Sequence, residues 1–397
     1  MSENVAQFQL SHAAGGSKSS IIRELLKLAN RPEVISFAGG LPSPQGFPIA
    51  DVKAACSWVM DNNGAHALQY SFTEGEPELR ALIAARETAN GVPTTPEEVQ
   101  IVSGSQQALD LVARAFLDAG SKVLVENPTY LGALSAFRLH DPQFVEIATD
   151  DEGLDPDSIG EQAAGARFAY VMPTFANPSG RTISEERRAR LAQKAREYDF
   201  WLVEDDPYGE LWYDKRPPAS LRLHAPERTL RLGTLSKVLS PGMRLGYIVG
   251  PRKFLDVITK LKQAIDLQTS NFTQLIAARV ISEGLLETHL PKVRELYKNQ
   301  AAAMLEALSE YMPSDPAISW TRPRGGMFIW LDLPRYIDTT ALMKEGVNRN
   351  VAFVPGSAFY AKEPENWHCR LSFVTVPKER IIQGVKILSE LVRENMR

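Results

Sequence analysis

A lysine that forms an imine with an aldehyde must first lose its proton, and Lys237 stands in a setting suited to that chemistry. It lies in Thr234-Leu235-Ser236-Lys237-Val238-Leu239-Ser240-Pro241-Gly242-Met243-Arg244. The Ser236 hydroxyl and the Arg244 cation, seven residues on, would suit a phosphate beside that imine. Together they point to a lysine that holds pyridoxal 5'-phosphate (PLP). Taken alone, a Ser-Lys pair in a Ser/Gly/Pro turn has the plainer reading of a surface lysine.

Other segments add chemistry of the same kind. Asp205, in Glu204-Asp205-Asp206-Pro207-Tyr208, could keep a pyridine nitrogen protonated, so that the ring draws electrons from a carbon being deprotonated. Tyr208, three residues on, could donate to the ring's phenolic oxygen. Asn177, before Pro178, could hydrogen-bond the same oxygen, or could open an Asn-Pro turn. Acidic strand ends also take magnesium, although the sequence contains no Walker-type phosphate loop. Ser105 and Gln106, after Ser103-Gly104, open a helix. Its free N–H groups and positive dipole end suit a phosphate, and Ser105 would serve equally as an ordinary helix cap. Tyr130, in Asn127-Pro128-Thr129-Tyr130, could stack on a ring or pack in a core. Arg370 precedes Leu371-Ser372-Phe373. A cation beside an apolar strand calls for an anion, either a substrate carboxylate held by a bidentate fork or an internal salt bridge.

The elements that must position these groups follow from periodicity. Strands are predicted at residues 99–102, 122–125, 144–147, 168–172, 201–203, 229–232 and 245–249. Helices are predicted at 106–117, with Leu109, Val112, Ala113 and Phe116 on one face, and at 131–139, 184–197 and 252–267. This alternation implies a mainly parallel sheet covered on both faces. Ligands collect at the carboxyl ends of such strands, where the segments at 103–106, 177–180, 205–208 and 236–237 all fall. A long helix over 289–308 leads to a segment of different character, with strands at 326–331 and 368–373 and helices at 340–349 and 378–395. That segment reads as a smaller α+β domain. Near the start, 20–29 reads as a helix and Ala38-Gly39-Gly40-Leu41-Pro42 as a turn-rich loop.

Bulk properties narrow the field. A length of 397 residues favours two domains. A hydrophobic content of 44% and a charged content of 23% are ordinary for a globular protein. The net charge of −4, with no basic block, offers nothing to nucleic acid or an anionic membrane. Cys56 and Cys369 have neither metal nor redox spacing, and no metal site is expected. The N-terminus has no basic n-region and no apolar h-region, and no run is long enough to span a membrane, which points to the cytoplasm.

These segments, in this order, resemble the signature stretches of the class I/II aminotransferases of PLP fold type I over nearly the whole chain. The segments are 103–108, Glu126-Asn127-Pro128-Thr129-Tyr130, 173–180, Glu204 to Tyr208 and Ser236 to Arg244. The resemblance implies a large domain with a mainly parallel seven-stranded sheet and a smaller α+β domain. Residues 1–45 would form a lid helix and pocket loop against the small domain, 46–288 the PLP-binding domain and 289–397 the small domain. It further implies Lys237 as the cofactor-bearing base, Asp205 on the ring nitrogen, Asn177 and Tyr208 on the ring oxygen and Tyr130 stacked on the ring. Ser105, Gln106, Ser236 and Arg244 would hold the phosphate, Arg370 and Asn177 the substrate carboxylate end, and Gly40 would line the pocket. Tyr70, in Gln69-Tyr70-Ser71, would reach the phosphate of a neighbouring subunit, which implies a homodimer.

The run Ile22-Arg23-Glu24-Leu25-Leu26-Lys27, followed by Ile35-Ser36-Phe37-Ala38-Gly39-Gly40-Leu41-Pro42, is similar to the 2-aminoadipate and kynurenine aminotransferase II-like branch. There a residue matching Arg23 can bind a distal carboxylate, although a solvated helix arginine would look the same. The implied activity is ping-pong transfer of an amino group from an L-amino acid (2-aminoadipate, glutamate, aromatic or branched-chain) to a 2-oxo acid such as 2-oxoglutarate. A PLP-dependent lyase or decarboxylase on the same fold and a non-catalytic PLP-sensing regulator are the alternatives.

Overall fold

The computed structural model describes residues 31–397, together with Ser11 and Ala13. The helix expected over 20–29, and Arg23 within it, lie outside the described residues.

Seven strands form the main sheet, in the order Val99–Val102, Gly246–Val249, Thr229–Thr234, Trp201–Asp205, Ala166–Val171, Lys122–Glu126 and Gln143–Ile147. Gly246–Val249 runs antiparallel to both of its neighbours. The remaining pairings are parallel. Central strands such as Thr229–Thr234 are buried along their whole length, as expected of a sheet covered on both faces. Helices Ser105–Phe116, Leu131–Phe137, Glu185–Glu197 and Arg252–Ile265 connect or cover them. Ser184 caps the third of these by accepting from Arg187 N–H.

Three helices, Ile49–Ala67, Pro77–Ala89 and Asn271–Ser282, were not legible in the sequence. The first shows why: its nineteen residues bury only Ala55, Val59 and Ala67, so it lacks a clear apolar stripe. The long helix runs from Leu285 to Tyr311, a turn earlier than its periodicity suggested, and packs against the C-terminal helix Lys378–Asn395.

A four-stranded antiparallel sheet follows, in the order Ser319–Trp320, Phe328–Asp332, His368–Ser372 and Val354–Pro355. The stretch after residue 34 joins this part of the molecule. Ile35–Ser36 pairs in parallel with Val351–Ala352. Phe37 N–H donates to Ala352 O, and Ser372 N–H to Phe37 O, each at 2.7 Å. This tether carries Ala38 and Gly40 from the small sheet towards the carboxyl edge of the large one.

Candidate active site

At that carboxyl edge the sheet order decides which loops meet. Gly246 lies in register with Val102 on one side and Thr234 on the other. The loop after Val102 and the loop after Thr234 are therefore separated by one short strand. A Cβ on Gly246 would come within 2.9 Å of Ser105 N.

Gly104 has φ +86° and caps the helix, which begins at Ser105. The ordinary-cap reading of Ser105 therefore does not hold, because its hydroxyl is not spent on a backbone N–H at the cap. The Arg244 guanidinium, on a residue with φ +53°, packs so closely on Gly104 that a Cβ there would meet Nη2 at 2.5 Å. Ser236 is buried, and its N–H is held by Thr234 Oγ1. The opposite side of the loop is braced. Asp266 accepts from Ser103 Oγ at 3.0 Å, Gln107 Nε2 at 2.7 Å and Lys262 Nζ at 2.6 Å. Gln106 Nε2 reaches Gly132 O at 3.3 Å. The result is a helix N-terminus with a cation beside it, the chemistry of an anion cradle.

Lys237 follows this cradle. Its Nζ donates to Gly40 O at 2.8 Å. Burial, together with the Arg370 and Arg244 cations, pulls its ammonium down to about 8. Asp205 ends its strand almost fully buried, and burial lifts its carboxyl to about 7. Its Oδ2 accepts from Tyr170 OH at 2.7 Å, while Oδ1 is buried without a partner. The Tyr208 ring lies edge-on to Phe328 at 5.7 Å, and Asn177 hydrogen-bonds its phenol. Tyr130 stands close enough to Asp205 and Arg370 to feel both charges, with its ring against Gly132.

Arg370 is 4% exposed. Nη1 donates to Asn177 Oδ1 at 2.8 Å and Nη2 to Ala38 O at 2.7 Å. The guanidinium lies over Phe328 at 4.2 Å, and Nε has no partner. Among the described residues no carboxylate pairs with it, so the internal salt-bridge reading finds no partner there and a buried cation is left to an anion. Cys369 is buried beside it, but successive strand residues point to opposite faces, and burial pushes its thiol up. It is core.

The structure thus gathers Lys237, Asp205, Asn177, Tyr208, Tyr130, Arg370, Gly40, Ser105, Gln106, Ser236 and Arg244 around one edge. Tyr70 is not among them; it is 74% exposed on this chain. Sequence reasoning missed Tyr170, which reads as one more core aromatic in Ala166–Val171. Its only signal was a polar tip near the end of an otherwise apolar strand.

A phosphate cradle, a lysine with a depressed pKa and a buried carboxylate with one orphaned oxygen fit a phosphorylated pyridine aldehyde. They define an enzyme of the PLP-using transferase type. Residues 38–388 match the family Aminotransferase class I and II. The aromatic-amino-acid aminotransferase 1 of Thermococcus litoralis is 43% identical over 397 residues, covering 98% of this chain and 94% of that one. The 2-aminoadipate transaminase of Thermus thermophilus is 41% identical, covering 96% and 95%. Pyrococcus horikoshii kynurenine aminotransferase, solved in complex with PMP, superposes with a TM-score of 0.93 at 40% identity, covering 98% of each chain. The chain belongs to the class I and II aminotransferases. It is a transaminase, and its cofactor is pyridoxal 5'-phosphate.

Proposed function

We propose that this enzyme transfers the amino group of acidic, aromatic or branched-chain L-amino acids to a 2-oxo acid such as 2-oxoglutarate, with Lys237 as its base. The observation that carries the assignment is Lys237 itself: a half-buried ammonium that donates to a carbonyl and lies within reach of two cations. When bound, the cofactor supplies the electron sink that makes the substrate α-hydrogen acidic.

The chain's own groups do the rest. Arg370 grips the α-carboxylate by the fork that Asn177 and Ala38 hold in place. Lys237 Nζ would take the proton from the substrate Cα and hand it on within the site. Asp205 would keep the ring nitrogen protonated, Tyr208 and Asn177 would hold the ring oxygen, and Tyr130 would cover the ring. Ser105, Gln106, Ser236 and Arg244 bind the phosphate. Adding an L-amino acid alone should convert the enzyme in one half-reaction to the pyridoxamine phosphate form with release of a 2-oxo acid. A lyase or decarboxylase would instead release a different carbon skeleton and keep the original form.

The substrate range rests on the relatives, which include aromatic-amino-acid and 2-aminoadipate enzymes, and on Arg23. Arg23→Ala should impair 2-aminoadipate and glutamate while sparing leucine; equal losses for all three would exclude a role in reading the distal carboxylate.

The same proposal includes a homodimer in which Tyr70 reaches the partner's phosphate. In its support, Ile49, Met60, Leu68, Tyr70 and Phe72 are exposed within one stretch of chain. Sedimentation should give twice 44.0 kDa. Two unpaired thiols, Cys56 and Cys369, suit the reducing cytoplasm. Among the described residues no helix is long and apolar enough to cross a membrane. The division at 46–288 and 289–397 is likewise our reading, supported by the seven-stranded sheet falling in the first span and the four-stranded sheet in the second.

A further inference from the structure

Asp205 has a neighbour that the roles above leave unused. Tyr170 lies on the adjacent parallel strand, in register with Val203. Val203 and Asp205 share a face of the sheet because strand side chains alternate. The Tyr170 phenol therefore rises on the same face and reaches Asp205 Oδ2 at 2.7 Å. Tyr170 is fully buried and Asp205 is 2% exposed.

The tyrosine ring is itself braced. Phe137 meets it edge-on at 5.5 Å, with 77° between the ring planes. Burial and the nearby Asp205 keep its phenol protonated well beyond the ordinary range, so it stays a donor. Asp205 has two oxygens: one is taken by this phenol, and the other, Oδ1, is buried without a partner. A carboxylate held at one oxygen is fixed in rotation and offers its remaining oxygen in one direction.

We propose that Tyr170 is a positioning residue for amino transfer: it holds Asp205 by Oδ2, leaving Oδ1 for the ring nitrogen, and keeps the proton on that nitrogen. This rests on the reading of Asp205 as the ring nitrogen's partner. The physical reason is a competition for one proton. A hydrogen bond to the carboxylate favours its charged form, and the proton then belongs to the ring. Without the phenol, a buried carboxylate competes better for that proton, and the ring becomes a weaker electron sink.

The test is the 15N chemical shift of the ring nitrogen in enzyme loaded with 15N-labelled cofactor, read for wild type, Tyr170→Phe and Asp205→Asn. We expect a protonated shift in the wild type, loss of it in Asp205→Asn and a partial move towards the neutral position in Tyr170→Phe. In Tyr170→Phe, kcat should fall about tenfold, with KM for the amino acid within about twofold, because Arg370 is untouched. If Asp205→Asn moves the shift and Tyr170→Phe does not, the proposal is overturned while the role of Asp205 stands. If Asp205→Asn leaves the wild-type shift unchanged, the role of Asp205 fails and the proposal with it. A second probe leaves the packing intact: 4-aminophenylalanine placed at position 170 keeps the ring and a donor, but a weaker one. It should move the shift part of the way towards the neutral position, and an unmoved shift would overturn the proposal even if Tyr170→Phe does not fold.

Discussion

Arg370 donates to Asn177 at 2.8 Å, and this bond joins the small sheet to the loop that follows a strand of the large one. The cation proposed to hold substrate and the group proposed to hold the cofactor's ring oxygen therefore share one hydrogen bond. On that proposal, substrate held by Arg370 would be oriented relative to the ring by that bond rather than by two independent anchors.

Replacing this fork tests the coupling. Arg370→Lys keeps the charge but loses the planar donor pair. It should lower kcat/KM for the amino-acid donor about 100-fold, corresponding to ~2.7 kcal/mol of transition-state binding. Affinity for pyridoxamine phosphate should change little. Steady-state kinetics alongside a cofactor titration separate the two effects.

Lys237 should react as an amine near neutrality. Its folded pKa is depressed to about 8, by burial first and then by Arg370 and Arg244. In the cofactor-free enzyme, modification of Lys237 by trinitrobenzenesulfonate should rise with pH through about 8, below the midpoint of about 10.4 for exposed lysines. Arg370→Gln removes one repelling cation and should move the midpoint upward. Peptide mass spectrometry across pH 6–10 reads both, and a Lys237 that titrates with the surface lysines would refute the assignment.

Asp205 predicts a pH-dependent stability difference. Burial lifts its folded pKa to about 7, above an unfolded value near about 3.9. A raised folded pKa means stability that is fully present below about pH 4 and lost as the pH climbs through about 7. Cofactor-free Asp205→Asn should therefore unfold at a higher temperature than wild type at pH 8, and the gap should close towards pH 4. Saturating cofactor should reverse the order at pH 8, because only the carboxylate gains a cationic partner there. Thermal melts with and without cofactor give the answer.

Gly104→Ala should damage cofactor binding through Arg244. Its φ of +86° and ψ of 163° lie in a region essentially reserved for glycine and cost an alanine about 1–3 kcal/mol, and the new Cβ would meet Arg244 Nη2 at 2.5 Å. Affinity for pyridoxamine phosphate should fall at least tenfold. Gly120→Ala is the control, since Gly120 has φ +79° with nothing within 4 Å of a Cβ. It should show a similar loss of stability with no change in cofactor affinity.

Much of the cofactor site was legible because its residues carry their own local signals. Lys237 beside Ser236, Asp205 at a strand end and Ser105 at a helix start are written in contiguous runs, and apolar alternation ordered the strands around them. Asn177 and Arg370 could each be named, but each had an ordinary explanation that the sequence did not remove. The fold weakened it for Arg370, a cation 4% exposed that has no carboxylate partner among the described residues.

What the sequence by itself determined is the inventory of reactive groups and the strand ends that bear them, because periodicity and turn chemistry act over a few residues. Only the tertiary structure decided which of them meet. The insertion of Gly246–Val249 between Val99–Val102 and Thr229–Thr234 set the phosphate cradle beside Lys237. The pairing of Ile35–Ser36 with Val351–Ala352 brought Gly40 over the lysine, and the register of Tyr170 with Val203 gave the Asp205 carboxylate its hydrogen bond. These are hydrogen bonds between residues 12 to more than 300 positions apart, and pairing of that kind leaves no periodic trace in either segment.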